Sequence, residues 1–134
     1  MKAEEMVAIL RRIRHDFGNY FQVILGYIDL DRPEKAKSYI LAIMEELAAQ
    51  RNIFESLEPE AVLYFYQQLL MARDLGIILK YNELQVTSWI KLKMQNQPFT
   101  TLASLPPEFS GMDDDLTINL SLTEGQTGIT MLFA

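Results

Sequence analysis

The chain contains a single histidine, His15, which is flanked by Arg14 and Asp16 near the N-terminus. An imidazole can act as a nucleophile or as an acid–base group near neutral pH, so this residue is the first candidate for chemistry. Apolar residues around it recur at alternating spacings of four and three, which predicts a helix packed on other helices. His15 lies two residues past one of these positions, so we expect it to face solvent. The apolar positions are Met6, Leu10, Ile13, Phe17, Tyr20, Ile24 and Tyr27.

The helical neighbours of His15 are charged, polar or small. Residues three and four positions apart share one face of a helix. For His15 they are Arg11, Arg12, Gly18 and Asn19. Guanidinium groups bind phosphate oxygens in a bidentate fashion, which suits a phosphoryl group in transfer. Asp16 is the natural carboxylate to orient the ring or to accept its proton. Gln22, about one turn further along, could contact a docked partner.

Simpler explanations of this face stay open on the residues alone. An exposed histidine on a helix is most often a solvated residue without a role, and arginine-rich faces are often only solubilising. Gly18 costs about 1 kcal/mol relative to alanine inside a helix. It could leave clearance for another molecule beside the imidazole, or it could accommodate packing. A lone histidine beside one aspartate lacks the ligands of a protein zinc site, and no serine or cysteine is placed for a nucleophilic triad.

Length, composition and charge limit the class of protein. With 134 residues, 49% of them hydrophobic, the chain can form an ordinary globular core. Its formal net charge of -6 argues against a nucleic-acid partner and against binding to a membrane surface. The absence of cysteine excludes disulfides and thiolate metal sites. The acidic N-terminus is unlike a signal peptide, and no apolar run approaches the ~20 residues that span a bilayer. A cytoplasmic protein is expected.

Two long antiparallel helices are predicted in a first domain, residues 1–58. The first helix covers about residues 2–30, and Asp31 with Pro33 is expected to begin the second as its N-cap and first-turn proline. The second helix is expected to end near Leu57, before a proline. Further apolar side chains make the apolar surface of the two helices wider than the single stripe that each helix can bury against the other. A second copy of the chain would cover the rest, so we predict a dimer that forms a four-helix bundle. These flanking residues are Phe21, Leu25, Ile28 and Tyr39.

The rest of the chain, residues 59–134, predicts a small second domain and gives the whole chain an α+β fold class. Its turn signals include Gly76, which is expected to end a helix, and a segment around Gly125 that is typical of a hairpin. The expected elements are a helix over 61–75, a strand over 77–81, further strand within 84–94, loop with at most one short helix over 98–115, and hairpin strands over 116–122 and 128–133.

One set of residues on the two predicted helices forms a combined pattern that is more specific than any of its parts. It consists of Arg14-His15-Asp16-Phe17, Asn19, Gln22-Val23-Ile24, Gly26 and Leu30, followed by Ala36, Tyr39 and Ile40. Together these residues resemble the phosphoacceptor hairpin of the sporulation initiation phosphotransferase B family. Similar hairpins occur in citrate-type sensor histidine kinases. The resemblance extends over roughly residues 10–43.

This resemblance implies a phosphorelay histidine phosphotransferase of sporulation initiation. In that family the hairpin dimerises into a four-helix bundle, and the histidine takes a phosphoryl group from an aspartyl phosphate on one response regulator and passes it to another. His15 would be the phosphoacceptor, and Asp16, the second catalytic residue, would orient it. Magnesium would be bound by the receiver partner, so no cofactor or metal is expected on this chain. The expected docking and phosphoryl-stabilising residues are Arg11, Arg14, Gly18, Asn19 and Gln22.

Residues 71–77 resemble the helix-to-strand entry of the ATP-binding domain of histidine kinases. That domain needs an asparagine-bearing helix for magnesium and nucleotide, and glycine-rich turns for the phosphates. The glycines after Gly76 are Gly111, Gly125 and Gly128, and none lies in an Asp-x-Gly-x-Gly pattern. We therefore expect a degenerate, truncated ATPase-like domain, and a self-sufficient kinase is disfavoured. The main alternative to phosphotransfer is a non-catalytic dimerisation or regulatory module that binds a sensor kinase or receiver domain.

Overall fold

The computed structural model describes residues 2–55, 57–105, 116–126 and 128–134. Over these residues the α+β class is confirmed, because helices are followed by a small three-stranded sheet. The chain divides into two compact units, Met1–Ala48 and Ala49–Ala134. In chain order the elements are α1 (Ala3–Asp29), α2 (Pro33–Ala49), α3 (Arg51–Glu55), α4 (Pro59–Asp74), β1 (Ile77–Gln85), α5 (Trp89–Met94), α6 (Phe99–Ala103), β2 (Leu116–Gly125) and β3 (Gly128–Phe133).

The first unit is the predicted antiparallel hairpin of α1 and α2. A connection of only three residues forces the two helices back along each other. Aromatic rings join them, since Tyr39 of α2 lies edge-on to Tyr20 and Tyr27 of α1, with ring centroids 6.4 and 6.3 Å apart. The spacing pattern was wrong in part: Ile9 is buried, whereas the neighbouring Leu10, assigned to the packed stripe, is 65% exposed. Met6 and Phe17, assigned to the same stripe, are exposed as well.

Asp31 ends α1 and does not cap α2 as predicted. Its φ of 57° lies in the left-handed region, which aspartate tolerates better than most residues. The N–H of Asp31 donates to the carbonyl of Ile28 at 3.0 Å, and the N–H of Arg32 donates to the carbonyl of Tyr27 at 2.8 Å. These two bonds form a Schellman motif that satisfies the last carbonyls of α1. The prediction for Pro33 is confirmed, because α2 begins at that residue.

The second predicted helix is interrupted at Gln50, so its continuation to Leu57 was wrong. The five residues of α3 belong to the second unit, where they make specific contacts. Ile53 is fully buried in that unit's core, and the side-chain amide of Asn52 donates to the carbonyl of Tyr81 at 2.6 Å. The structural division therefore falls between Ala48 and Ala49, whereas the sequence placed the boundary after residue 58.

The second unit contains a sheet of strand order β1-β2-β3. β1 and β2 are parallel, with an irregularity between Tyr81 and Glu83, and β2 and β3 form the predicted terminal hairpin. Strand pairing continues to Gly125 opposite Gly128, so the turn is shorter than expected. The turn residue Thr127 lies outside the described residues.

The segment between β1 and β2 differs from the prediction of further strand within residues 84–94. β1 continues to Gln85, but Trp89–Met94 is helix α5. Trp89 and Leu92 are both buried, and their spacing of three places both on one helical face. The short helix α6 agrees with the expectation of at most one short helix after residue 98; residues 106–115 lie outside the described part of the chain.

The core of the second unit lies between the sheet and helix α4. Alternate residues of the strands are buried, as the two-residue period of a strand requires. Phe65 of α4 is fully buried and meets the ring of Tyr81 edge-on at 5.7 Å. Buried strand residues in this core are Ile77, Leu79, Tyr81, Leu84, Ile118, Leu120 and Leu122.

A carboxylate ties the end of β2 to the segment that begins α5. Glu124 accepts hydrogen bonds from the hydroxyl and backbone N–H of Thr87 and from the backbone N–H of Ser88, the last at 3.1 Å. Hydrogen bonds from Thr87 and Ser88 lower the pKa of Glu124 from its ordinary 4.5 to about 2. The ionised form is therefore the one that supports this connection.

Replacement of this carboxylate by Glu124→Gln should cost more stability at neutral than at acidic pH. Because the pKa of Glu124 is lowered on folding, its contribution is complete above about pH 4.5 and is lost as the pH falls through about 2. The free energy of unfolding can be measured in urea by the fluorescence of Trp89, the single tryptophan. The difference in this free energy between wild type and variant should be larger at pH 7 than at pH 3. Thr87→Val should reproduce part of this effect, since two backbone donors remain. An equal difference in the free energy of unfolding at pH 7 and pH 3 would contradict the role assigned to the ionised Glu124 carboxylate.

Candidate functional site

The structure places His15 on α1 with 70% of its side chain exposed. Solvent exposure was the expectation from its position two residues past Ile13 in the apolar pattern. The helix continues for fourteen residues beyond it, to Asp29, so the backbone at His15 is held by regular helical hydrogen bonds on both sides. The imidazole is thus accessible while its attachment point is rigid.

One open groove contains His15 together with the five residues predicted to dock a partner. Its volume is about 350 Å³, and its lining residues are Arg11, Arg14, His15, Gly18, Asn19 and Gln22. Their spacings of three and four bring them onto one face of α1. The helix alone therefore assembles the predicted set, and all six are exposed. Asp16 is the one predicted site residue that does not line this groove.

The imidazole makes its polar contacts to the described residues through Nδ1. This atom lies 3.6 Å from Oδ1 of Asp16 and 3.5 Å from the side-chain nitrogen of Asn19. A carboxylate beside Nδ1 favours the tautomer that carries its proton there, which leaves the lone pair on Nε2. In that tautomer Nε2 is the nucleophilic atom of the ring.

The carboxylate of Asp16 is itself held by Arg12. Nε of Arg12 lies 3.2 Å from each of the two carboxylate oxygens, and the two side chains are 30% and 25% exposed. Oδ1 of Asp16 is therefore shared between the guanidinium and the imidazole. The sequence placed Arg12 among the arginines that bring positive charge near the ring, but it did not pair Arg12 with Asp16. The signal that could have found this pair is the spacing of four between Arg12 and Asp16.

Gly18 is not required by packing within the described chain. A Cβ built at this position would meet no atom within 4 Å. Of the two explanations that the sequence left open, this favours clearance beside the imidazole. Arg11 and Arg14 add positive charge to the same groove in a chain whose net charge is -6.

No group of three or more histidine, cysteine, aspartate or glutamate side chains within the described ranges is arranged to hold a metal ion.

In the second unit, α4 leads into β1 through Gly76, so the predicted helix-to-strand transition is present. Gly76 has a φ of 79° and follows the last residues of α4. The likeness of this unit to an ATP-binding domain stays a prediction.

Residues 1–56 match a protein family described as the alpha-helical domain of SpoOB-type sensor kinases. The match covers the hairpin and every predicted site residue, and it confirms the family resemblance for this part of the chain. The N-terminal hairpin is thus similar to this helical domain. No curated protein and no solved structure matches the chain. Among the described residues, none of the helices combines the length and apolar character needed to cross a bilayer.

We expect Gly18→Ala to stabilise the hairpin. Alanine is favoured over glycine inside a helix by about 1 kcal/mol, and the added Cβ enters open space. Gly26→Ala is the matched control, because Gly26 also lies in α1 and its Cβ would also meet nothing within 4 Å. Urea unfolding followed by far-ultraviolet circular dichroism measures both variants. Destabilisation by Gly18→Ala alone would show that packing, for example against a second copy, requires the glycine.

Proposed function

We propose that this chain is a phosphorelay histidine phosphotransferase that acts through a phosphohistidine at His15. It passes a phosphoryl group from the aspartyl phosphate of one response-regulator receiver domain to the aspartate of another. The observation that carries the proposal is the exposed imidazole in the arginine-lined groove. The match of residues 1–56 to the SpoOB-type helical domain supports it.

The transfer needs only this groove and the reacting groups of the receiver. The lone pair on Nε2 of His15 attacks phosphorus in line, a P–N bond forms, and the P–O bond to the receiver aspartate breaks. The electrons of that bond leave with the receiver carboxylate. The proton on Nδ1 stays beside the negative charge of Asp16, which stabilises the phosphorylated ring. Transfer to the second receiver is the reverse of this step with a new carboxylate.

Arg11 and Arg14 are proposed to bind the oxygens of the phosphoryl group as charge is redistributed during transfer. Gly18 gives the receiver room to approach the ring, and Asn19 and Gln22 offer polar contacts to its surface. Magnesium is proposed to come with the receiver, bound by the receiver's carboxylates. This chain supplies the nucleophile, its orientation and the docking surface.

The exposed apolar side chains of the hairpin support a homodimer. Soluble monomers seldom expose extensive apolar surface without a partner, and a four-helix bundle made from two hairpins would cover it. Large apolar side chains of α1 and α2 that are more than half exposed in one copy are Leu10, Phe21, Leu25, Ile28, Leu41 and Met44. A role in sporulation initiation and a cytoplasmic location belong to the same proposal.

A non-catalytic dimerisation or regulatory module is the second candidate function. It is favoured by the same exposed apolar surface, because a hairpin can dimerise and bind a kinase or a receiver without accepting phosphate. The two candidates differ in what happens at His15 after a phosphorylated receiver has bound.

Phosphotransfer is tested by incubating the full chain with a receiver domain that carries labelled aspartyl phosphate. Label should enter the wild-type chain as an acid-labile adduct, which is typical of phosphohistidine, and His15→Gln should acquire none. Sedimentation should give the same oligomeric state for both proteins, since His15 is exposed and the substitution removes no buried contact. A wild-type chain that binds phosphorylated receivers but takes label from none of them would favour the non-catalytic module.

A further inference from the structure

The contact between His15 and Asp16 joins two residues that do not naturally face each other. Adjacent residues on a helix point in directions about 100° apart, whereas residues four apart lie on one face. The face of Asp16 is occupied by Arg12, whose Nε contacts both carboxylate oxygens at 3.2 Å. Oδ1 also lies 3.6 Å from Nδ1 of the imidazole. The position of the carboxylate relative to the ring thus depends on Arg12.

Two side chains compete for the same ring nitrogen. The side-chain nitrogen of Asn19, 3.5 Å from Nδ1 of His15, donates only to a ring whose Nδ1 carries no proton. That tautomer has its proton on Nε2 and offers no lone pair to a phosphoryl group. The negative charge of the Asp16 carboxylate, 3.6 Å from Nδ1, attracts a proton on that nitrogen and so favours the other tautomer. The nucleophilic form of the ring therefore requires the carboxylate to stay in place.

The Arg12–Asp16 pair differs from the second arginine–carboxylate pair of the same spacing. Arg51 and Glu55 also lie four residues apart, but their closest contact is 3.7 Å, and their side chains are 69% and 66% exposed. Arg12 and Asp16 are closer and only 30% and 25% exposed. In both pairs the basic residue precedes the acidic one, which is the less favourable order for helix stability. The short contacts of Arg12 therefore suit a role in holding the carboxylate.

We propose that Arg12 is a positioning residue that holds Asp16 against Nδ1 of His15 and so keeps Nε2 in its nucleophilic form. The relevance to phosphotransfer rests on the proposed function, whereas the effect on the ring does not. Arg12 acts through geometry as well as charge, because its Nε contacts both oxygens at once. Lysine at this position would keep the charge but has a single nitrogen at the end of a flexible chain.

The test uses the protein labelled with ¹⁵N-histidine, whose spectrum contains one imidazole because His15 is the single histidine. Long-range ¹H–¹⁵N correlation at a pH where the ring is neutral measures the proportions of its two tautomers. The wild type should carry its proton mainly on Nδ1. In Arg12→Gln the ratio of the Nδ1–H to the Nε2–H tautomer should fall roughly two- to tenfold, the loss expected when the attraction between the carboxylate and the Nδ1 proton is weakened.

Arg51→Gln is the matched control and should leave the tautomer ratio as in wild type. Arg12→Lys keeps the positive charge but not the geometry of the guanidinium. A tautomer ratio in Arg12→Lys equal to that of wild type would show that charge alone acts and would overturn the positioning role of Arg12. A ratio between those of Arg12→Gln and wild type would support that role. An Arg12→Gln ratio equal to that of wild type would also overturn the proposal. Phosphorylation by a labelled receiver is measured in parallel. Absence of label in wild type counts against the proposed function, while the tautomer ratio alone decides the role of Arg12.

Discussion

The chemistry proposed for the site depends on one contact, between Nδ1 of His15 and the carboxylate of Asp16. In that proposal the carboxylate favours a proton on Nδ1 and leaves the lone pair on Nε2, while Arg12, 3.2 Å from both carboxylate oxygens, holds the carboxylate in place. The groove beside the ring is lined by Arg11, Arg14 and Gly18, and Asp16 does not line it. A regular helix thus leaves the imidazole accessible on a rigid backbone, which is what the proposed reaction with a receiver domain requires.

The two units differ in how much of their apolar surface they bury within one chain. The second unit buries its own core, which contains Phe65 and alternate strand residues. The hairpin has few buried residues and leaves side chains such as Phe21 and Leu25 largely exposed. Two helices can cover only one stripe on each other, so the remaining apolar faces need another surface. This constraint is the physical reason behind the proposed homodimer.

Elements with clear periodicity were predictable from the sequence, and elements defined by distant contacts were not. The spacing of apolar residues predicted α1, and alternation with turn signals predicted the terminal hairpin. Asp31 was misassigned because its residue type suits both an N-cap and a left-handed helix end, and the bonds to Ile28 and Tyr27 decided between them. The break at Gln50 reflects contacts of Asn52 and Ile53 with strand β1 and the core of the second unit, which local sequence does not encode.

The sequence by itself determined which residues share the face of α1, since helical spacing alone brings His15, Gly18 and Gln22 into one groove. It also determined the exposure of the imidazole, because a two-residue step from an apolar stripe leads to solvent. Only the three-dimensional structure decided how side chains divide their contacts: that Nδ1 of His15 is the nitrogen nearest Asp16, and that Nε of Arg12, which the spacing of four only made a candidate, lies 3.2 Å from both oxygens of that carboxylate. Spacing fixes directions from a helix axis, but rotamers and interatomic distances determine hydrogen bonds.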